Sequence, residues 1–355
     1  MRRLVLALVL AFAPAVATAQ AAPRTLLVRL VTAAEGAPLG YGVVSLPALG
    51  VERFTPASGT VALPVPEAGP VRLRARRLGF TPVDTTVTVG EGASTTVTVA
   101  LARVSFTLDA VKVVAWPPCL TPGLAAADAR VRAVVEQLQE NAERYRLLVR
   151  QYPFVYTVRR EFGEKGSDGS YIAQRTDVIP VEGRSEWTYR PGTLIAREPS
   201  RVPGGRPDWV MRIPGIADLA EASFIAQHCF HVAGVEEKAG QRLLRLDIVA
   251  AEALKDVDVN VEAWLDPEDY RLRHATFTLT RPPRQVRGLV RSTTAVEYRE
   301  VIPFVPVVAV TTAENTVQQG RGAPRVSVER QRMERVLFQG PRPDSLLTAP
   351  PPDGR

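Results

Sequence analysis

Short runs of alternating apolar and polar residues, separated by turn residues, occupy most of this 355-residue sequence. An alternation with period two is typical of strands that bury one of their faces. Between residues 24 and 114, about seven such runs follow one another at close spacing, and no helical period interrupts them. The pattern predicts a seven-stranded antiparallel β-sandwich over residues 24–115.

One stretch departs from the alternation. Thr121 is followed by Pro122, a pair that predicts a helix N-cap and first helical position. Apolar residues then recur at helical spacing from Val131 to Val149, and alternating runs resume after them. The sequence therefore predicts a mainly β protein with an α+β second domain over residues 120–338. In that domain a long helix packs on a curved, half-barrel-like antiparallel sheet.

The two ends of the chain differ from both domains. Arg2 and Arg3 precede a short apolar run, and the small residues Ala17–Ala19 follow it. This order predicts a signal peptide over residues 1–19 and an exported protein, whether periplasmic, outer-membrane-associated or extracellular. No later stretch is apolar for long enough to predict a transmembrane helix. Prolines in residues 340–355 predict a disordered tail.

Turn and core residues of the first domain form a recognisable series. Ala37-Pro38-Leu39-Gly40 precedes Val43, Gly59 precedes Val61, and Leu78-Gly79-Phe80 precedes the last strands. The series resembles the carboxypeptidase regulatory-like, transthyretin-like domain over about a quarter of the chain. This resemblance implies a non-catalytic module, since domains of that family accompany many different partners.

Two segments of the second domain also carry a resemblance. The run from Arg245 to Leu279 is similar to the half-barrel of exported lipoprotein-carrier and sigma-regulator proteins. His228-Cys229-Phe230 is similar to a segment of exported bacterial proteins with the same domain order. The first resemblance implies a scaffold or an amphiphile-binding half-barrel, and the second implies a structural role for Cys229 and its neighbouring histidines.

Cys119 and Cys229 are the two cysteines of the chain. In an exported protein a lone pair predicts one disulfide. The alternative is that Cys229 is a reduced nucleophile, which requires a thiolate of low pKa. That alternative describes a thiol- or metal-dependent hydrolase centred on Cys229, with His228 or His231 beside it.

His228 and His231 are the histidines that could serve as ligands or hold a metal. A strand would place His228 and Cys229 on opposite faces, so only a loop or a helix could gather all three side chains. The sequence contains no HExxH, GxSxG, SxxK or P-loop motif. We therefore predict no catalytic residue, no metal and no cofactor.

Charge is the last constraint on partners. The formal net charge is +7 and the pI is about 9.7, and we predict no nucleic-acid partner, because an exported protein rarely meets one. Arg72, Arg74 and Arg76 predict a basic strand face that could contact an anionic partner. The leading hypothesis is a non-enzymatic exported cell-envelope protein, whose unknown partner is another envelope protein, a lipid or a polysaccharide.

Overall fold

The structure is a computed structural model that describes residues 24–105, 116–184, 187–198, 208–318, 320 and 322–347. The predicted signal peptide lies outside the described residues. So do residues 106–115, at the end of the predicted first domain, and residues 348–355 of the predicted tail.

Seven strands form the first part of the described chain, in two facing sheets. One sheet has the strand order β4-β1-β7 and the other has β3-β2-β5-β6. The strands are β1 (Arg24–Thr32), β2 (Val43–Leu46), β3 (Val51–Phe54), β4 (Thr60–Val65), β5 (Gly69–Arg76), β6 (Val83–Val89) and β7 (Ser94–Leu101).

The prediction that this sandwich is wholly antiparallel is wrong at one pair, because β1 and β7 run parallel, with Leu26 opposite Thr95. The chain crosses from one sheet to the other between β6 and β7. Strand β7 then lies beside β1 and runs in the same direction. A tight hairpin cannot connect two parallel strands.

The core of the sandwich follows directly from the alternation in the sequence. Leu26, Val28 and Leu30 of β1 are fully buried, whereas Arg29 between them is exposed. They pack in one cluster with Leu63 of β4, which lies beside them in the same sheet, and with Leu73 of β5 in the facing sheet. Each of these side chains stabilises the fold by about 1.5–3 kcal/mol through burial.

A single long helix, α1 (Ala129–Gln151), links the sandwich to the second domain. The predicted N-cap at Thr121 is wrong, because the helix begins eight residues later, where the Asp128 carboxylate accepts a hydrogen bond from the Val131 amide at 2.7 Å. The residues around Thr121 lie against the start of β12. The Gly123 amide donates to the His228 carbonyl oxygen at 2.8 Å, and the chain from 120 to 126 runs through bends and turns instead of a helix.

The second domain is built on one nine-stranded sheet in which every neighbouring pair is antiparallel. Its strand order is β12-β13-β14-β15-β16-β17-β18-β8-β9. The strands are β8 (Phe154–Lys165), β9 (Tyr171–Glu182), β12 (His228–Lys238), β13 (Gln241–Ala250), β14 (Val259–Leu265), β15 (Leu272–Leu279), β16 (Leu289–Ile302), β17 (Val305–Val317) and β18 (Arg325–Phe338).

Smaller elements complete the described chain. A separate hairpin pairs β10 (Ile195–Glu198) with β11 (Asp208–Met211). The short helices are α2 (Ala222–Ile225) and α3 (Asp344–Leu347). The prediction that residues 340–355 form a disordered tail is wrong for its first part, because Leu346 of α3 is buried among the residues at the end of α1.

The helix covers one half of the curved sheet. Val131, Val134 and Leu138 lie on the apolar face of α1 and pack in one cluster with β13, β14 and β15, including Leu246 and Phe277. On β16 the same cluster reaches Val296 and Tyr298. The C-terminal end of α1 continues the contact, since Leu147 and Leu148 pack in a second cluster with Val305 and Val307 of β17 and with Met333 of β18. Beyond these residues the same face of β17, β18 and β8 extends past the helix.

Buried charges join the sandwich to the helix. Arg76 of β5 pairs with Glu140 of α1 at 2.6 Å and also with Glu52 of β3. Arg144 of α1 is fully buried and donates to the carbonyl oxygens of Phe304 at 2.7 Å and Tyr41 at 2.6 Å. A buried guanidinium is tolerated only with such partners, so these contacts define how the sandwich lies on α1.

Candidate functional site

Cys119 and Cys229 are joined in a disulfide, with 5.5 Å between their Cα atoms. Cys229 lies in β12, an edge strand of the large sheet, and not in the loop before the sheet. The Cys119 carbonyl accepts a hydrogen bond from the Glu252 amide at 3.1 Å. The disulfide and the chain around Cys119 therefore cover the start of an otherwise open sheet edge.

The neighbouring histidines point to opposite faces of β12. His228 is fully buried on the inner face, and its ring stacks on Phe224 with 4.0 Å between ring centroids. His231 stands three residues further along, on the outer face with Cys229. Period-two geometry thus separates the two imidazoles, and they cannot share one ligand.

These positions weigh against the hydrolase alternative. Cys229 has no free thiol to act as a nucleophile, because its sulfur is bonded to Cys119. No group of three histidine, cysteine or acidic side chains within the described ranges could hold a metal ion. In the described structure this segment forms the start of an edge strand and holds the disulfide.

His228 belongs to a buried polar network. Its Nδ1 lies 2.7 Å from the Phe224 carbonyl oxygen, and its Nε2 lies 3.2 Å from the Val259 carbonyl oxygen and 3.7 Å from the Asp258 carboxylate. Burial lowers the pKa of His228, although Asp258 and the two carbonyl oxygens favour the charged form. Asp258 also accepts a hydrogen bond from the Tyr189 hydroxyl at 2.6 Å.

The network continues into the segment around the β10–β11 hairpin. The Tyr189 amide donates to Asp218 at 2.8 Å, and the Gly215 amide donates to the same carboxylate at 2.7 Å. Burial raises the pKa of Asp218, while these two backbone donors lower it. Tyr189 precedes the hairpin and Gly215 follows it, so the network fixes both ends of the hairpin against the sheet.

The predicted basic face on β5 is only partly present. Arg72 and Arg74 are exposed, and Arg72 pairs with Asp84 of β6 at 2.7 Å. Arg76 is buried at the junction, and its charge is balanced by Glu52 and Glu140. The prediction of a three-arginine face is therefore wrong at Arg76, because α1 covers the end of the strand.

A cavity of about 570 Å³ lies on the part of the curved sheet that α1 leaves uncovered. Its floor is formed by β16, β17, β18 and β8. Opposite them is a roof, which we define as the lining residues of the β10–β11 hairpin and of the loops at 213–215 and 283–286. The roof residues are mainly apolar: Ile195, Trp209, Val210, Met211, Ile213, Pro214, Gly215, Pro283 and Val286.

The end of the floor nearest to α1 is apolar. Val158 of β8 pairs with Met333 of β18, and Tyr298 of β16 pairs with Val308 of β17. These four residues and Tyr156 line the cavity, and we call them the apolar end. Beyond the middle of the floor, Leu289 and Val317 pair and form a second, smaller apolar patch.

Between these apolar parts the floor is polar, and the strand register arranges its residues in rows. Thr311 lies opposite Gln331, which lies opposite Arg160. The next rows pair Thr294 with Ala313, Ala313 with Glu329, and Asn315 with Ser327. We call the polar members of these rows, together with Arg160, the polar rows: Arg160, Thr294, Thr311, Asn315, Ser327, Glu329 and Gln331.

Neighbouring side chains neutralise the charges of the polar rows. Arg160 donates from Nε at 2.9 Å and from Nη2 at 2.5 Å to Oε1 of Glu329. Gln331 donates to the same oxygen at 2.8 Å. The floor thus presents a bound ion pair, an amide and several hydroxyl groups between two apolar surfaces.

A larger groove, of about 920 Å³, lies between the sandwich and α1. Among the charged residues that line it, Arg76 pairs with Glu52 and Glu140, and Arg150 pairs with Glu52. These groups already hold the two domains together. The smaller cavity, with its apolar end and separate roof, is the better candidate for a binding site.

Sequence reasoning missed the cavity residues, although their i, i+2 spacing on β18 and β8 was visible. Ser327, Glu329 and Gln331 alternate with Arg330 and Arg332, and both sets are polar. A polar residue on a strand normally indicates the solvent face. Only the tertiary structure shows that one of these two sets points into a cavity.

No helix in the described part of the chain combines the length and the apolarity needed to cross a bilayer.

No family model and no curated protein matches the chain. Three solved structures are similar to about three fifths of it. An outer membrane lipoprotein-sorting protein domain from Vibrio parahaemolyticus has 15% identity and a TM-score of 0.29, over 60% of this chain and 97% of that one. A DUF1329 family protein from Desulfovibrio piger has 10% identity and a TM-score of 0.32, over 59% and 95%.

The third is a LolA superfamily protein from Nitrosomonas europaea, with 14% identity and a TM-score of 0.27, over 62% of this chain and 97% of that one. Scores and identities this low say nothing about what this chain binds. A function has to be argued from the cavity itself.

Proposed function

We propose that this chain is a non-enzymatic exported envelope protein whose second domain binds an amphiphile in the cavity between the curved sheet and its roof. The observation that supports this is the division of the cavity floor into an apolar end and polar rows. An amphiphile matches both surfaces at once, whereas a purely polar solute would leave the apolar end and roof in contact with water.

The size of the cavity and the energetics agree with such a ligand. Small-molecule sites typically measure about 300–1,000 Å³, and this cavity has about 570 Å³. Each buried methylene contributes about 0.8 kcal/mol, so ten methylenes contribute roughly 8 kcal/mol before the costs of association. Association costs about 4–15 kcal/mol, so micromolar binding requires contacts of the ligand with the polar rows and the roof in addition to chain burial.

The sandwich has a different part in this proposal. It is a non-catalytic module of the carboxypeptidase regulatory-like type, and its buried ion pairs with α1 hold it at one end of the amphiphile-binding domain. On its exposed strand face, Arg74 and the Arg72–Asp84 pair are the groups that an anionic envelope partner would meet.

The proposal is tested by filling the cavity. Ala313 lies on the floor between Thr294 and Glu329, and its neighbour Thr312 points to the opposite face of β17. We expect Ala313→Trp to weaken binding of the neutral fluorophore N-phenylnaphthylamine at least about tenfold, or about 1.4 kcal/mol, and Thr312→Trp to leave it within about twofold. Fluorescence titration measures both.

Equal binding by both variants, each with the circular dichroism spectrum and cooperative melt of the parent protein, would contradict the proposal. Failure of the parent protein to bind the fluorophore, or to release it to any dodecyl amphiphile, would contradict it too.

A further inference from the structure

The polar rows carry information about the head group of the ligand. We infer that the amphiphile has an uncharged, hydroxyl-rich head group of the glycosyl class. This inference rests on the proposed function, because it concerns the occupant of the same cavity.

The first argument is the charge balance of the cavity. Arg160 and Glu329 are the charged residues that line it in the described structure, and they have opposite signs. Two guanidinium nitrogens of Arg160 bind one oxygen of Glu329, at 2.5 and 2.9 Å. The side chains are 12% and 26% exposed, so the pair is largely removed from water. The floor therefore has almost no net charge to offer an ionic head.

The surroundings of this pair are balanced in the same way. Arg175 and Asp177 of the neighbouring strand β9 pair with each other at 3.1 Å. The guanidinium groups of Arg160 and Arg175 both lie over the ring of Phe162, at 4.9 and 4.2 Å from its centroid. An anionic head at Arg160 would compete with Glu329 and lie close to its negative charge, and a cationic head at Glu329 would compete with Arg160 in the same way. Either arrangement weakens a partly buried ion pair.

The second argument is the hydrogen-bonding capacity of the polar rows. Thr294, Thr311 and Ser327 each carry a hydroxyl group, and Gln331 and Asn315 each carry an amide. Gln331 already donates to Glu329, Asn315 Oδ1 accepts from Ser292, and Ser327 donates to the Asn315 carbonyl oxygen, so a ligand would use the remaining donors and acceptors of these groups. A hydroxyl group both donates and accepts, so a polyol can pair with amides and hydroxyl groups without carrying charge. A ligand hydroxyl can also donate to the Glu329 carboxylate, a charge-assisted bond that is stronger than a neutral one.

The roof supplies a third matching surface. Trp209 lines the cavity and is 45% exposed, an unusual position for so large an apolar side chain. Its ring presents an apolar face at the cavity, against which the C–H face of a sugar ring can pack. Its position beside a polar floor fits a head group that has both polar and apolar faces.

The experiment compares amphiphiles that share one dodecyl chain and differ only in the head group. We would titrate the full chain with dodecyl maltoside, dodecyl phosphate, dodecyltrimethylammonium and dodecylphosphocholine below their micelle concentrations, using displacement of N-phenylnaphthylamine. The inference predicts that the maltoside binds at least about tenfold more tightly than each charged or zwitterionic amphiphile. Gln331→Leu should reduce this preference to about threefold or less, and Ser327→Ala is a milder second variant. Arg332→Leu, on the opposite face of β18, should preserve the preference.

The outcomes separate the two proposals. If no dodecyl amphiphile binds, the proposed function fails. If they bind but the phosphate, ammonium or phosphocholine head binds as tightly as the maltoside, the inference about the head group fails and the proposed function stands. A maltoside preference that survives in both folded polar-row variants would also contradict the inference.

Discussion

His228 shows how a single residue can have the features of a catalytic site and yet be structural. Its ring nitrogens face two carbonyl oxygens, and its fully buried ring stacks on Phe224. Through Asp258 and Tyr189 it connects β12 to the segment that precedes the roof hairpin. The residue therefore supports the cavity from a distance and does not meet a ligand in it.

The pH dependence of stability tests this role. Burial lowers the pKa of His228 from its ordinary value of 6.5. As the pH falls below 6.5, this histidine therefore binds a proton more readily in the unfolded chain than in the folded chain. This contribution to stability is complete above pH 6.5 and is lost as the pH falls from 6.5 towards the folded-state pKa. We expect a loss of up to about 1.4 kcal/mol per pH unit in that window.

The comparison uses two variants in urea unfolding experiments between pH 7.5 and 5. His228→Gln should be less stable than the parent protein at pH 7.5 but less dependent on pH below 6.5. His231→Gln, on the outer face of the same strand, should retain the pH dependence of the parent. An unchanged slope in His228→Gln would show that other groups are responsible.

At the scale of elements, the disulfide and α1 decide how the large sheet is covered. Cys119 fixes the chain across the start of β12, and only after this does the chain enter the helix at Ala129. The helix then covers β12 to β16 and the near ends of β17 and β18, and the rest of the cavity floor faces the roof. A helix that started at Thr121 would have removed the chain from that edge.

We predict that loss of the disulfide destabilises the protein without unfolding the cavity. The bond joins residues 110 positions apart, and the chain-entropy model gives about 4–5 kcal/mol for a loop of that length. The double variant Cys119→Ser/Cys229→Ser should lose about 2–5 kcal/mol of unfolding free energy in urea and still bind N-phenylnaphthylamine at low urea. Unchanged stability, or two alkylatable thiols in protein isolated without reductant, would contradict this account.

The elements also show where sequence reasoning succeeds. The strands were predictable because period two is a local signal, and residues such as Leu26 and Val28 alternate with polar neighbours. The disulfide partners were predictable because the chain has two cysteines. The helix start was not, since Thr121 has the residue type of an N-cap, but two residues later the Gly123 amide bonds to the distant His228 of β12. The cavity depends on which face of β17, β18 and β8 the helix leaves open, a property of the whole fold.

For the whole molecule, the central feature is a curved sheet that is covered by two different elements. One half packs on α1 in a continuous core, and the other half faces the roof across the cavity. The sandwich is attached to the covered half through Arg76, Glu140 and Arg144. The fold thus separates a rigid half, which holds the domains together, from a half that is available for binding.

The most direct test of this account is a crystal structure of the protein with a dodecyl maltoside that carries bromine at the end of its chain. The account predicts an anomalous bromine peak at the apolar end, among Val158, Tyr298 and Met333, with the sugar over the polar rows. A bromine peak in the groove between the sandwich and α1 or on the outer face of the sheet, or no bromine peak at saturating ligand, would contradict it.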